Sequence, residues 1–142
     1  MEIAVNFSPP IQLMNDLIIL IEDTKARVVI HVNSSMTLLF WHIGRRISNN
    51  ILNNKRAEYE KQIVVTVSRE LIHKFGKNYE EKNLRRMIQF ADKFTDLENV
   101  VTLSRHLSWS HFIVLIPLKN EHARKFYAKL AYNSLIFFIL KG

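Results

Sequence analysis

Apolar residues recur at three- and four-residue intervals along most of this chain, and that period predicts helices rather than strands. The first stripe runs through Met14, Leu17, Ile18, Ile21, Val28 and Val32, and it resumes at Met36, Phe40, Ile43, Ile47 and Ile51. Val28, Val32, Met36 and Phe40 stand four apart, so the phase continues through the polar triplet Asn33-Ser34-Ser35. The pattern predicts one long helix over 8–53, bent near 33–35. Ser8-Pro9-Pro10 supplies its start, a capping hydroxyl followed by prolines where no backbone N–H is needed. A helix of that length packs along a partner helix, from the same chain or from a second copy.

Asn53-Asn54 breaks the stripe. A second helix is expected from about Ala57 to Lys74, with Ile63, Val64, Val67, Leu71 and Phe75 inward, and Gly76 stands where a C-terminal cap needs a left-handed residue. Asn78 and Glu81 have capping-box spacing before a helix over 80–94 that buries Leu84, Met87 or Ile88, Ala91 and Phe94. After a loop at 95–99, Val100–Leu103 reads as a short strand or a turn of helix. Ser108-Trp109-Ser110-His111 opens a short apolar helix ending near Pro117. Residues 120–133 follow as an amphipathic helix with Ala123, Phe126, Tyr127, Leu130 and Ala131 on one face. The expected architecture is mainly α in a single domain over 1–142. It comprises the long helix, a helix-turn-helix or winged-helix-like bundle over 57–133, and an atypical apolar tail at 134–142.

Charge alters this picture. The chain carries 20 basic and 13 acidic side chains in 142 residues, net +7. Residues 1–32 hold Glu2, Asp16, Glu22 and Asp23 against Lys25 and Arg27, so the surplus lies beyond them. A basic surplus of this kind suits a polyanionic partner. The absence of cysteine excludes disulfides and thiolate metal sites. No apolar run approaches the roughly 18 residues of a membrane span, and the N-terminus lacks the order of a secretory signal. A cytoplasmic protein is expected.

The most informative chemistry lies between Leu71 and Phe94. Lys82, Arg85, Arg86 and Gln89 are spaced to share one helical face. Arginine forks onto guanine or phosphate, lysine supplies a point charge, and Gln or Asn reads adenine bidentately. On this reading Lys77, Lys82, Arg85 and Arg86 neutralise phosphates, while Asn83, Arg86 and Gln89 reach base edges. Arg105, Ser110 and His111, in a segment rich in hydroxyls and imidazoles, steady the nucleic-acid backbone. Glu80 and Glu81 act against this, since they answer the helix dipole and repel phosphate.

Other chemistries are poorly served. Ser108 or Ser110 with His106 or His111 lacks an acidic orienter between Glu98 and Glu121, and no nucleophile elbow surrounds either serine. No histidine spacing matches a metal site, and no cofactor is called for. In Phe40-Trp41-His42-Ile43-Gly44-Arg45-Arg46, Gly44 allows close helix approach and Arg45-Arg46 reach phosphate or water. Leu38, Phe40 and Trp41 are core residues or an association surface.

The blocks LLFWHIGRRI, SREL…FGKNYEEKNLRRMIQF and LSRHLSWSHFIVLI, in that order, resemble the N-terminal domain of the YhcG-like PDDEXK nuclease family. The resemblance covers about 28–133. It implies a helical, winged-helix-like DNA-binding domain whose 80–94 helix is the recognition element, followed in family members by a nuclease domain. This chain departs from the pattern after Asn133, where Ser134–Gly142 reads as a truncated or frame-shifted end, and the nuclease residues have no positions here. The expectation is a double-stranded-DNA-binding module, not an enzyme by itself. The alternative is a helical module that forms a homodimer or docks a separate nuclease subunit without touching DNA.

Overall fold

Pro9 and Pro10 stand before the first helix, and Met14 N donates to Pro10 O at 3.0 Å, which opens helix α1 (Ile11–Arg27). A computed structural model describes residues 7–27, 32–54, 56–118, 120–127 and 129. Within it α1 is followed by α2 (Val32–Leu52), α3 (Ala57–Phe75), a 3₁₀ turn (Lys77–Tyr79), α4 (Glu81–Lys93), α5 (Leu97–Ser104) and α6 (Trp109–Leu115). A further helical segment occupies 121–127. The protein is mainly α, as the periodicity predicts. Among the described residues there is no strand, and Val100–Leu103 lies inside α5.

The single long helix expected over 8–53 is instead two helices folded back on one another. Arg46 Nε donates to Asp16 Oδ2 at 2.8 Å. On one straight helix those residues would stand about 45 Å apart at 1.5 Å per residue. Leu13, Met14, Leu17 and Ile21 of α1 are buried in one cluster with Leu39, Phe40, Ile43 and Ile47 of α2. A stripe that keeps phase fits a continuous helix and a hairpin equally well, because both bury the same face. The long-range pairing that separates them is invisible to local spacing.

α3 ends as expected. Gly76 takes φ +101° and its N–H closes on Ile72 O at 2.9 Å. The capping box of Asn78 and Glu81 does not form. Tyr79 is buried, Ser68 Oγ donates to its carbonyl at 2.7 Å, and its ring meets Phe40 and Phe75 edge-on. Drawing Tyr79 inward uses 77–79 as a 3₁₀ turn, so Glu80 becomes the N-cap and makes no side-chain bond there.

α4 is the central element and packs most extensively on α2. It buries Leu84, Met87, Ile88, Phe90 and Ala91. A Cβ built on Gly44 would lie 1.9 Å from Met87 O, so at this crossing the two helices touch backbone to backbone. Ser48 Oγ donates to Asp92 Oδ1 at 2.6 Å further along the same seam. Asp96 caps α5, its carboxylate accepting Glu98 N–H at 3.0 Å. The core forms two clusters, one around α1–α4 and one around Trp41, Phe90, Phe94 and Phe112, and Trp109 packs against both. Phe126 and Tyr127, expected inward, are exposed. Leu130, Ala131 and the apolar tail at 134–142 lie outside the described residues.

A candidate nucleic-acid interface

With one side of α4 committed to the core, the other is fixed in direction. Lys82, Arg85 and Gln89 are exposed on it and Arg86 is half-buried at its flank. Lys77 is exposed in the turn before the helix. Lys82, Arg86, Gln89 and Lys93 follow at intervals of four, three and four, which makes a straight ridge about 16 Å long at 1.5 Å per residue. Lys93 lies outside the set of cations expected from the sequence, and its four-residue step from Gln89 is the signal that marks it. Its Nζ donates to Ile116 O at 2.5 Å. The face also holds acids. Glu81 pairs with Arg85 at 3.6 Å, both side chains half exposed, and Asp92 stands at the other end.

Asn83 does not share that face. It is half-buried, its Nδ2 donates to Asn78 O at 2.7 Å, and its Oδ1 accepts Trp109 Nε1–H at 3.1 Å. One residue past Lys82 rotates it by about 100°, toward α6, so its amide serves a loop and a tryptophan rather than a base. The same bond sets the first turn of α6 beside the N-terminal half of α4. Ser110 and His111 are exposed on that turn, and Arg86 lies on the flank between Asn83 and Phe90, both of which touch Trp109. Arg105 is exposed where α5 ends, its own N–H bonded back to Thr102 O.

His111 has a structural task. Its Nδ1 accepts the Ser108 N–H at 3.1 Å and lies 3.0 Å from Ser108 Oγ, in a capping box at the start of α6. A ring nitrogen so used is not a general base for Ser108. Leu38, Phe40 and Trp41, expected as core or as an association surface, lie within this chain. Phe40 and Trp41 are buried and Leu38 packs on the second cluster. Phe40 meets Tyr79 and Trp109 edge-on, and Trp41 Nε1 donates to Phe94 O at 2.7 Å. Arg45 lies over the Trp41 ring and hydrogen-bonds Ala91 O, while Arg46 is held by Asp16. Neither arginine extends the α4 ridge.

Among the described residues, the surroundings shift three groups from their ordinary range. Burial, with Arg46 adding repulsion, pulls His42 below its usual 6.5. Burial pushes the Tyr79 hydroxyl up to about 12. The hydrogen bond and charge of Lys125 hold Glu121 below the usual carboxylate range. None lies on the ridge. Among the described residues no helix is long and apolar enough to cross a membrane.

Comparison with known proteins accords with the sequence resemblance. The chain is 27% identical over 148 aligned residues to the Escherichia coli (strain K12) protein named "Putative nuclease YhcG". That alignment covers 83% of this chain and 40% of the relative, so the chain spans less than half the relative's length. No solved structure matches it. Residues 16–135 match the DUF1016 N-terminal domain. A match over so much of the sequence makes the chain a member of the DUF1016 N-terminal domain family.

Proposed function

We propose that this protein is a duplex-DNA-binding module serving a nuclease system, with α4 as the element that enters the groove and no cleavage chemistry of its own. The observation that carries the reading is the ridge of Lys82, Arg86, Gln89 and Lys93 on a helix whose opposite face is locked into the core. Such a helix presents its cations at fixed spacing, which is what reading a groove requires. Lys82 and Arg86 contact phosphates, Gln89 reaches a base edge, and Lys77 meets the strand beyond the start of α4. Arg85 joins when its exposed pairing with Glu81 yields to phosphate, because such surface pairs are weak. Ser110 and His111 contact the backbone from α6, and Arg105 from the end of α5. Asn83 supports the ridge without reading a base. The nuclease context is drawn from the name of the relative.

The test is duplex binding across a salt series. The Lys82→Ala/Arg86→Ala pair is expected to weaken binding and to flatten the log affinity against log salt slope by about 0.9 per lost phosphate contact. A pair that binds as the parent does, with the same slope, removes α4 from the interface. Light scattering on the same samples separates the assembly reading, which a stable dimer indifferent to duplex would favour. Phe40 and Trp41 offer that reading no open surface.

A further inference from the structure

Arg124 presents an unusual arrangement. It is only 7% exposed, yet among the described residues no carboxylate lies within ion-pair distance of it. Its Nη1 donates to Leu118 O at 2.7 Å and its guanidinium sits over the Phe94 ring, 5.7 Å from the centroid. One carbonyl and one ring face use only part of a fork of five donors. None of its nitrogens is both sealed from solvent and without a hydrogen-bond partner, so the remaining donors stay accessible. The charge of Glu121 acts on the guanidinium from outside ion-pair distance. The side chain borders a cavity of about 480 Å³ between the end of α4, α5 and the segment 121–127. Phe94 and Leu103 form its apolar floor, and Lys93, Lys125 and Lys129 join Arg124 around it.

The acids in this cavity are already in use. Glu121 pairs with Lys125 at 3.1 Å, and Asp96 is turned to the Glu98 N–H as the cap of α5. By formal charge the four basic and two acidic side chains lining the cavity leave a net of +2. Lys93 is also the last residue of the α4 ridge, so ridge and cavity share a side chain.

We propose that this cavity is a phosphate-binding pocket and that it takes one phosphodiester of the strand lying along the ridge from Lys82 to Lys93. The proposal rests on the duplex-binding reading above. Arg124 supplies the fork that suits phosphate oxygens, and Lys129 and Lys93 supply point charges. The volume exceeds what a phosphate fills, so the attached sugar lies over Phe94 and Leu103. The pocket lengthens the footprint beyond the helix that enters the groove.

Two measurements on the full chain test it. In duplex titrations over a salt series, Lys129→Gln and Arg124→Gln are each expected to weaken binding severalfold and lower the slope by up to about 0.9. Circular dichroism checks that both variants fold, and Lys129 is exposed, so a failure of Arg124→Gln to fold leaves Lys129→Gln decisive. In amide NMR, inorganic phosphate is expected to shift Lys93, Thr95, Asn99 and Arg124. Pocket variants that bind duplex with parental affinity and slope overturn the strand assignment. If phosphate still shifts those amides, the pocket belongs to a free phosphate compound instead. A parent chain that ignores duplex sinks the duplex reading and the strand assignment, and phosphate shifts then decide whether the pocket stands. Absence of both effects overturns the proposal.

Discussion

Single residues in this protein do work that their side-chain type does not announce. Asn83 looks like an adenine reader but bridges Asn78 O and the Trp109 indole. Asn83→Ala leaves the Trp109 N–H without its partner and is expected to cost about 1–2 kcal/mol in urea denaturation. Duplex affinity of the folded variant should stay at the parental level, and a fall of tenfold or more would return Asn83 to the reading set. His42 carries a second consequence. Its folded pKa is depressed by burial and by Arg46, so the folded state binds fewer protons than the unfolded chain below 6.5. Stability from the neutral ring is therefore present above pH 6.5 and is lost as pH falls toward the depressed folded value. Thermal melts from pH 7.5 to 5 should show parent stability declining more steeply than that of His42→Gln. Parallel declines would assign the loss to other groups.

At the scale of elements, the parts governed by neighbours in sequence were legible and the parts governed by distant partners were not. The extent of α3 and the core face of α4 follow from apolar spacing. Gly76 follows from the left-handed cap that ends α3, and it adopts φ +101°. No atom lies within 4 Å of a Cβ placed there. Gly76→Ala is thus strained by its backbone alone, and a loss of about 1–3 kcal/mol is expected by denaturant titration. A neutral substitution would mean that the turn relaxes. The packing of α1 back on α2 escaped the pattern because Val28, Val32, Met36 and Phe40 keep step along the sequence. The capping box failed because burial of Tyr79 governs the turn. The exposed cations of α4 were legible from their spacing. The pocket around Arg124 was not, because Phe94, Leu103 and Arg124 are brought together by packing rather than by register.

On the scale of the molecule, two core clusters are joined through α2, α4 and the indole of Trp109. The ridge of α4 therefore lies on the outside of the most heavily packed helix pair rather than on a projecting arm. What holds that pair is the crossing at Gly44, where the carbonyl of Met87 occupies the space a methyl group would need. A contact with no side chain between the backbones leaves no gap that solvent can enter by small motions. Amide protons near the crossing, at 43–48 and 87–91, should therefore exchange with deuterium only when the whole chain opens, and share one denaturant-sensitive opening free energy. Those of 121–127 should exchange sooner, through local openings. If the crossing amides exchanged early and without denaturant sensitivity, the seam would be a local hinge. Slow exchange there would make α4 the last part of the protein to lose its shape.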